Sequence, residues 1–476
     1  MGNWRWLIVA VVMCLAAGQV GWAADRPATV TSSGSVAGST APAVPWEEIA
    51  RMQVFDEKML ARATERGEAL LKGTRWEASI PFRTLTYAGT LYDAGDLVIW
   101  TRESDSSSVA LDKATGNQAW SMTDVKIKAV SAGAKGAEMV VTRSERTGSG
   151  LGIAGRAGTD TMEIMSVADR AGKWKKTIES FTSVFLTTPK QVFTGMVIPP
   201  TFADGPQGSW VWPATRTSIL AAYDRASGDR QWTYTLPAEL LNTRSLAFSD
   251  GVLYVLAAPF SANGNPPCTL IAINSTDGQP IFVSPPPHEY LSPLVVKDNV
   301  VIASNSSGEV VGFDTKTGQE KWRERISLSE EPVKATLKGQ VEMDQAPVVD
   351  GDILLVSTRG LSSNATARRG ESFNETLGLA AFDIKTHKQQ WFFRPPADTL
   401  SSLHGVQVEK GKIIGAVTGI RRGYVGADMK TGKLDWQIPL TAQIDHGSVV
   451  TMPLFSGGVM YIMKDGKLIA VPLGTK

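Results

Sequence analysis

Five residues of metal-ligating type recur through the second half of the chain, each ahead of or at a short apolar segment. They are His288, Asp344, His404, Asp445 and His446. Imidazole nitrogens and carboxylate oxygens bind divalent transition metals and also hold small polar ligands. The successive intervals from His288 to Asp344, His404 and Asp445 are 56, 60 and 41 residues. A shared site therefore depends on structural elements that bring distant segments together.

Other motifs that carry chemistry are weak or missing. Gly150, Gly152 and Gly155 match the pattern GxGxxG. A dinucleotide site needs a strand before that pattern and a helix after it, whereas this segment lies in a glycine-rich stretch with no helical pattern following. We therefore reject a nucleotide site. The sequence contains no HExxH, Walker A or GxSxG phrase, so the usual signals of metalloproteases, P-loop NTPases and serine hydrolases are missing.

Composition excludes further classes of protein. The 476 residues are 43% hydrophobic with a formal net charge of +1, which is typical of a globular chain and gives no electrostatic drive toward nucleic acid. Cys14 lies in the apolar N-terminal segment, so Cys268 is the single cysteine of the body of the chain. This count excludes an intramolecular disulfide framework, a cysteine zinc site and c-type haem attachment.

One phrase recurs along the chain and predicts its architecture. It consists of a short apolar strand, an Asp, a Thr-Gly turn and a Trp four residues after the Gly. The Asp carboxylate can cap backbone N–H groups and Gly accepts a positive φ, so each phrase predicts a β-hairpin. The five good copies span residues 110–120, 221–232, 311–322, 380–391 and 425–436, and two degraded copies span 167–174 and 271–282.

The recurrent aromatic residue indicates how the repeats pack. Two further strands precede most copies, and four strands per repeat at a period near fifty residues indicate a β-propeller blade. A large ring at one fixed place in each repeat is best explained by packing between neighbouring blades. The predicted blade-docking residues are Trp76, Trp120, Trp174, Trp232, Phe282, Trp322, Trp391 and Trp436.

The two ends of the propeller predict its closure. Residues 459–471 supply strands but no Trp, whereas residues 72–80 supply a Trp strand without its partners. Pairing the N- and C-terminal strands would complete a blade and remove an exposed edge. Seven internal copies and this composite predict an all-β fold with eight four-stranded blades; seven blades is the alternative because the second copy is degraded.

A propeller would also bring the histidines together. Residues just before the innermost strands converge on one mouth of the central channel, where His288, Asp344, His404, Asp445 and His446 would lie. One interpretation is a polar, solvated channel rim. The alternative is a metal or small-ligand site built from these side chains.

The phrase resembles the PQQ-like repeat of the quinoprotein-dehydrogenase-like eight-bladed propellers, over about residues 72–476. One branch of that family binds PQQ with calcium and oxidises alcohols or aldose sugars. Another branch is non-catalytic and includes BamB, a scaffold of the outer-membrane assembly machinery. Many alcohol-oxidising members carry adjacent cysteines in a disulfide, others a haem domain with CxxCH, and neither occurs here. The resemblance therefore favours the non-catalytic branch, without a predicted cofactor, catalytic residue or metal; PQQ with calcium is the alternative.

The N-terminal region precedes the propeller. Residues 1–23 read as a signal peptide with a positive residue, an apolar run and a small-x-small cleavage site; an uncleaved anchor is the alternative. Residues 24–45 form a Ser/Thr/Pro/Gly spacer, and the apolar spacing over 46–72 predicts an amphipathic helix. The propeller then occupies residues 73–476. We expect a periplasmic or envelope-associated chain that is not lipid-anchored, with no transmembrane segment once mature.

These features predict a binding protein rather than an enzyme. Two loops exceed the blade template, at residues 144–160 and 361–379, and loops on a rigid scaffold often carry function. We expect a monomeric, non-catalytic scaffold that binds protein partners through its loops, by analogy with BamB in outer-membrane protein assembly. The alternative functions are a PQQ- or metal-dependent dehydrogenase and a propeller with a small ligand at the channel mouth.

Overall fold

The computed structural model describes most of the chain from residue 57 onward. The described residues are 57–80, 89–102, 106–133, 136–144, 159–179, 182–197, 201–203, 209–211, 218–240, 246–258, 268–284, 291, 293–305, 308–327, 340–341, 347–359, 377–393, 403–409, 411–417, 422–440 and 451–473. The predicted signal peptide, the spacer, the GxGxxG segment and residues 46–56 of the predicted helix lie outside these ranges. In the described part, no helix is long and apolar enough to cross a membrane.

The chain folds into eight four-stranded antiparallel blades, as the repeat predicts. The described part begins with helix α1 (Glu57–Lys72) and strand β1 (Trp76–Ser79). Blade 1 contains β2 (Thr90–Ala94), β3 (Leu97–Arg102), β4 (Ser107–Asp112) and β5 (Gln118–Met122). Blade 2 contains β6 (Lys126–Gly133), β7 (Gly136–Ser144), β8 (Thr159–Ser166) and β9 (Gly172–Glu179). The degraded second copy is therefore a complete blade, which decides for eight blades over seven.

Blades 3 and 4 carry additions to this template. Blade 3 contains β10 (Thr182–Thr187), β11 (Gln191–Val197), β14 (Ser218–Asp224) and β15 (Arg230–Thr235), and a separate hairpin of β12 (Thr201–Ala203) and β13 (Ser209–Val211) is inserted in it. Blade 4 contains β17 (Leu246–Ser249), β18 (Val252–Ala258), β19 (Thr269–Asn274) and β20 (Pro280–Val283). The short β16 (Glu239–Leu240) also pairs with β18.

The remaining blades repeat the same order. Blade 5 contains β21 (Val295–Lys297), β22 (Val300–Ser304), β23 (Glu309–Asp314) and β24 (Glu320–Arg325). Blade 6 contains β26 (Val348–Asp350), β27 (Ile353–Arg359), β28 (Leu377–Asp383) and β29 (Gln389–Phe393), and β25 (Gln340–Val341) also pairs with β27. Blade 7 contains β30 (Leu403–Glu409), β31 (Lys412–Val417), β32 (Gly423–Asp428) and β33 (Leu434–Pro439). Blade 8 contains β34 (Leu454–Ser456), β35 (Val459–Lys464) and β36 (Lys467–Pro472), completed by β1.

The ring closes through the two ends of the chain. Strand β1 pairs antiparallel with β36, with Trp76 opposite Ala470 and Ser79 opposite Lys467. The first strand of each blade lies innermost, and β34 of blade 8 contacts β2 of blade 1. Strand β1 therefore covers the edge of β36 that would otherwise be unpaired.

Helix α1 packs on the outermost strand of blade 7. Its buried side follows a spacing of three and four residues through Leu60, Ala63, Gly67 and Leu70, which is the period of one helical face. Leu60 and Ala63 join a core cluster with blades 6 and 7, whereas Leu70 joins a cluster with blades 7 and 8. The Gln437 amide of β33 donates to the Thr64 hydroxyl over 2.6 Å and to the Leu60 carbonyl over 3.3 Å. The helix therefore fastens blade 7 to both of its neighbours.

Replacing Gly67 with alanine is expected to loosen this helix. A Cβ at Gly67 would lie 1.9 Å from the Gln437 carbonyl oxygen, which is backbone and cannot rotate away. Intrinsic propensity alone predicts that alanine stabilises a helix by about 1 kcal/mol over glycine, so packing and propensity predict opposite signs. We expect Gly67→Ala to lower stability by about 1–3 kcal/mol, the usual range for overpacking. Hydrogen exchange of residues 57–72 and thermal unfolding measure it.

The matched control for that prediction is Ala69→Gly. Ala69 is exposed on the same helix, so this substitution changes propensity without touching β33. Slower amide exchange in Gly67→Ala than in the wild type would show that the helix does not approach β33 this closely.

Candidate functional site

The described structure locates one of the five predicted channel-mouth residues. His404 lies within β30, opposite Ala416 of β31, and is half-buried. It therefore belongs to the innermost strand itself and does not precede it, because β30 begins at Leu403. His288, Asp344, Asp445 and His446 lie outside the described residues, so the shared site stays a prediction. Within the described ranges, no group of three or more His, Cys, Asp or Glu side chains is placed to hold a metal.

Each good copy of the repeat forms the same capped turn. In blade 1, the Asp112 carboxylate accepts hydrogen bonds from the backbone N–H of Thr115 at 2.8 Å, the Thr115 hydroxyl at 2.8 Å and the Ala114 N–H at 3.1 Å. The Thr115 hydroxyl is the leading cause of the lowered pKa of Asp112. Gly116 closes the turn with a φ of 73°. Equivalent capping occurs at Asp224, Asp314, Asp383 and Asp428.

The aromatic residues share one register position in all eight blades. Each lies on the outermost strand opposite an alanine, glycine or isoleucine of the next strand inward, as with Trp120 opposite Ala110 and Trp436 opposite Gly426. In seven blades this residue is alanine or glycine, which leaves room for the ring, and in blade 2 it is Ile164. A Cβ added to Gly426 would lie 2.2 Å from the Trp436 ring.

Five of the indoles bond to the capped turn of the next blade. Each indole N–H donates over 2.7–3.0 Å to the backbone carbonyl of the second residue of that turn, counting the position of Asp112 in blade 1 as the first. The pairs are Trp76 to Lys113, Trp120 to Val167, Trp174 to Arg225, Trp232 to Ser275 and Trp391 to Met429. In four of these pairs, the turn glycine lies against the ring, so that a Cβ would clash; Gly318 lies in the same way on Phe282. The turn and the aromatic residue are thus two halves of one inter-blade contact.

Blade 6 replaces that glycine with a histidine. His387 adopts a φ of 61° in the turn and stacks its imidazole on the Trp322 indole of blade 5, at 4.5 Å between ring centroids and 14° between planes. The aromatic face that glycine covers elsewhere is here covered by a second ring. This explains why the copy over residues 380–391 tolerates His in place of Gly.

Trp436 meets a different partner because blade 8 is closed by the chain termini. Strands β36 and β1 are not joined by a turn, since one ends the ring and the other begins it. Trp436 instead belongs to a cluster that Leu70, Leu71 and Leu473 complete. The end of α1 therefore belongs to the same core cluster as Trp436.

A buried ion pair joins blades 2 and 3. Arg225, in the capped turn of blade 3, donates from Nε to Glu138 Oε2 at 3.1 Å and from Nη1 to the Thr188 carbonyl at 2.9 Å. Both Arg225 and Glu138 are buried, and Lys173 contributes a second cation to Glu138. The sequence does not reveal this pair, because the equivalent turn position carries varied residues, such as Lys113, Ser275 and Met429, and nothing in the repeat singles out Arg225.

Cys268 is expected to resist thiol reagents in the folded chain. Its side chain is fully buried, and burial raises the pKa of the thiol to about 12. The reactive thiolate is therefore scarce at neutral pH. In a Cys14→Ser variant of the full chain, we expect an aromatic disulfide reagent to react only as fast as the protein unfolds. A rapid reaction without denaturant would contradict this placement.

The comparisons with known proteins point to one family of propellers. Residues 202–391, which run from blade 3 to blade 6, match the family model described as outer membrane protein assembly factor BamB. BamB of Burkholderia pseudomallei (strain K96243) is 25% identical over 168 residues, which are 32% of this chain and 42% of that protein. BamB of Shewanella oneidensis is 28% identical over 116 residues, which are 24% of this chain and 29% of that protein. The matches thus span less than half the length of these relatives.

Solved structures share the fold over most of the chain. Quinohemoprotein alcohol dehydrogenase from Comamonas testosteroni superposes with a TM-score of 0.57 at 11% identity, covering 88% of this chain and 79% of its own. A europium-containing methanol dehydrogenase superposes with a TM-score of 0.51 at 13% identity, covering 84% of both chains. At such identities the likeness concerns the fold alone.

Proposed function

We propose that this chain, an eight-bladed propeller of PQQ-like repeats, is an exported scaffold that binds protein partners during outer-membrane protein assembly. The observation that carries the proposal is the match of residues 202–391 to the BamB family model. The two curated relatives with significant matches carry the same description, outer membrane protein assembly factor. In this proposal, residues 1–23 act as a signal peptide that directs export across the inner membrane, and the exported chain carries no lipid anchor.

The architecture supports a scaffold role because its blades are held firmly against one another. Five of the inter-blade contacts combine an indole ring with a hydrogen bond to the neighbouring turn, and four of these rings are buried. Helix α1 adds a further link across three blades. A closed ring of this kind can present loops at fixed relative positions without paying much conformational entropy on binding.

Deletion of the gene from its host tests the proposed function. We expect the outer membrane of the deletion strain to contain less β-barrel protein, measured by quantitative mass spectrometry, and the full chain to restore the amount. A variant with Lys176→Gln is the matched control, since the ion pair of Lys176 with Asp229 is exposed. Unchanged barrel content in the deletion strain would overturn the assembly role, and recovery of the chain in the cytoplasmic fraction would overturn export.

A separate experiment tests the alternative enzymatic function. The purified chain would be incubated with PQQ and calcium, its absorption spectrum recorded, and dye reduction followed with alcohols and aldoses. The scaffold proposal predicts no reduction above a protein-free control. Reduction with any of these substrates would replace the proposal with a quinoprotein dehydrogenase.

A further inference from the structure

We infer that the outer edge of blade 4 is a docking site for an extended protein segment with apolar side chains at alternate positions. This inference rests on the proposed protein-binding function and names a site and a ligand class for it. It begins from Ile281 and Val283, two residues that are 47% and 49% exposed. In the described part of the chain, the only other large hydrophobic residue that is exposed is Met59 of α1.

The strand that carries these residues is placed to accept another strand. β20 is the outermost strand of blade 4, and its inner edge pairs with β19 through Phe282 opposite Ala272 and Val283 opposite Ile271. Among the described strands, none pairs with its outer edge. Phe282 packs toward Gly318 of blade 5, so Ile281 and Val283, one residue to either side, lie on the opposite face of the strand.

The other blades carry different side chains at these two positions. Charged side chains on an edge strand oppose pairing with another strand, whereas an exposed hydrophobic edge favours it. The equivalents are Ala119 and Ser121 in blade 1, Lys173 and Lys175 in blade 2, Gln231 and Thr233 in blade 3, and Lys321 and Arg323 in blade 5. In blade 6 they are Gln390 and Phe392, and Phe392 is buried. Among these blades, blade 4 therefore differs in carrying two exposed aliphatic residues at these positions of its outermost strand.

Blade 7 shows that the rim of this propeller can bind a chain segment. Its outermost strand β33 is covered by α1, through Gln437 to Thr64 and through the close approach of Gly67. The positions equivalent to Ile281 and Val283 are Asp435 and Gln437, which bond to the helix. At these two positions of blade 7, polar side chains meet the polar side chains of Thr64 and Arg66, so the aliphatic pair of blade 4 matches apolar side chains.

The size and charge of the site favour an extended segment over a second copy of this chain. Four residues of strand extend over about 14 Å, and a stable dimer buries about 800 Å² on each partner, which two half-exposed aliphatic side chains do not approach. Strand addition gains main-chain hydrogen bonds in addition to side-chain burial. Residues 279–284 contain no charged side chain, so the matching segment is uncharged and alternates apolar residues. That is the pattern of membrane β-barrel strands before they insert.

Binding of a defined peptide tests the inference. The probe is a peptide of about ten residues that alternates valine and threonine, the length of a membrane barrel strand. Its control has the same sequence with alternate backbone nitrogens methylated, which blocks strand pairing. We expect the methyl signals of Ile281 and Val283 in the full chain to shift with the first peptide and not with the second. A double variant, Ile281→Lys with Val283→Lys, is expected to bind the peptide about tenfold more weakly.

The matched control variant carries Gln231→Lys and Thr233→Lys at the equivalent positions of blade 3, and is expected to bind as the wild type does. Melting temperatures equal to that of the wild type establish that both variants fold. Equal binding by the blade 4 variant, equal binding of the methylated peptide, or no binding at all would overturn the inference. Expression of the blade 4 variant in the deletion strain separates the two proposals. Full restoration by that variant overturns this site alone, whereas failure of the wild-type chain to restore barrel protein overturns the proposed function.

Discussion

Replacing Glu138 with glutamine is expected to lower the free energy of unfolding by about 3–5 kcal/mol, the range observed when one partner of a buried ion pair is removed. The substitution keeps the shape of the side chain and removes only its charge. It leaves the Arg225 guanidinium buried between blades 2 and 3 without a compensating carboxylate. Lys173 is partly exposed and can turn to solvent, whereas Arg225 cannot. Equilibrium unfolding in urea measures the loss.

Two further variants make this expectation specific. Lys176→Gln removes an exposed ion pair between the same two blades, with Asp229, and is expected to leave the unfolding midpoint nearly unchanged. Arg225→Gln, placed in the Glu138→Gln background, removes the unpaired charge and is expected to restore part of the lost stability. If Glu138→Gln unfolds at the same urea concentration as the wild type, the pair does not hold the two blades together.

Replacing Trp232 with alanine is the second substitution with a large expected effect. The indole is buried, donates to the Ser275 carbonyl over 2.7 Å and lies against Gly278 of blade 4. Truncating a buried aromatic residue to alanine costs about 3–5 kcal/mol of stability through lost contacts and the remaining cavity. The Ser275 carbonyl still accepts the Gln191 amide at 2.7 Å, so the loss reports packing more than an unsatisfied carbonyl.

Trp232→Phe is the matched control, because the chain itself uses Phe282 at the equivalent place in blade 4. It keeps most of the ring and loses one hydrogen bond, for which we expect a cost of about 1 kcal/mol. Urea unfolding of the two variants, with hydrogen exchange of the turn at residues 274–279, measures the difference. A stability of Trp232→Ala close to that of Trp232→Phe would mean that the ring does not fasten blade 3 to blade 4.

The eight-bladed fold could be predicted from the sequence because its signal is local and repeated. An Asp that caps its own turn and a Gly with positive φ leave a mark within about ten residues, since both act through neighbouring backbone groups. Strands alternate buried and exposed side chains on the same short scale. Even the degraded copy over residues 167–174 keeps enough of this pattern to be a blade.

The amphipathic helix was predicted over residues 46–72, and the described helix occupies Glu57–Lys72. Its spacing identified a buried face. The pattern could not show what the face packs against, because Leu60 and Leu70 contact residues more than three hundred positions away. Only the closure of the ring brings β33 beside the N-terminal segment.

For the candidate sites too, the sequence predicted some features and the contacts between distant residues came only from the structure. The channel-mouth residues were proposed from strand order, and His404, which the structure describes, lies inside its strand. The bond between Arg225 and Glu138 joins residues 87 positions apart and has no counterpart in the repeat. Likewise, Ile281 and Val283 look like ordinary strand residues in the sequence, and only their place on an outermost strand exposes them.

The sequence by itself therefore determined the propeller architecture, the strand order of each blade and the aromatic position that recurs in each, because hydrogen-bonded turns and alternating burial are properties of neighbouring residues. The structure decided for eight blades over seven, because it shows the degraded second copy to be a complete blade. The tertiary structure alone decided which side chains meet across blades: the buried Glu138–Arg225 pair, the His387 ring on Trp322 and the cluster that contains both Leu70 of α1 and Trp436. It alone also left the apolar rim of blade 4 exposed. Those contacts depend on the angle and closure of the ring, which bring together residues whose separation along the chain carries no local pattern.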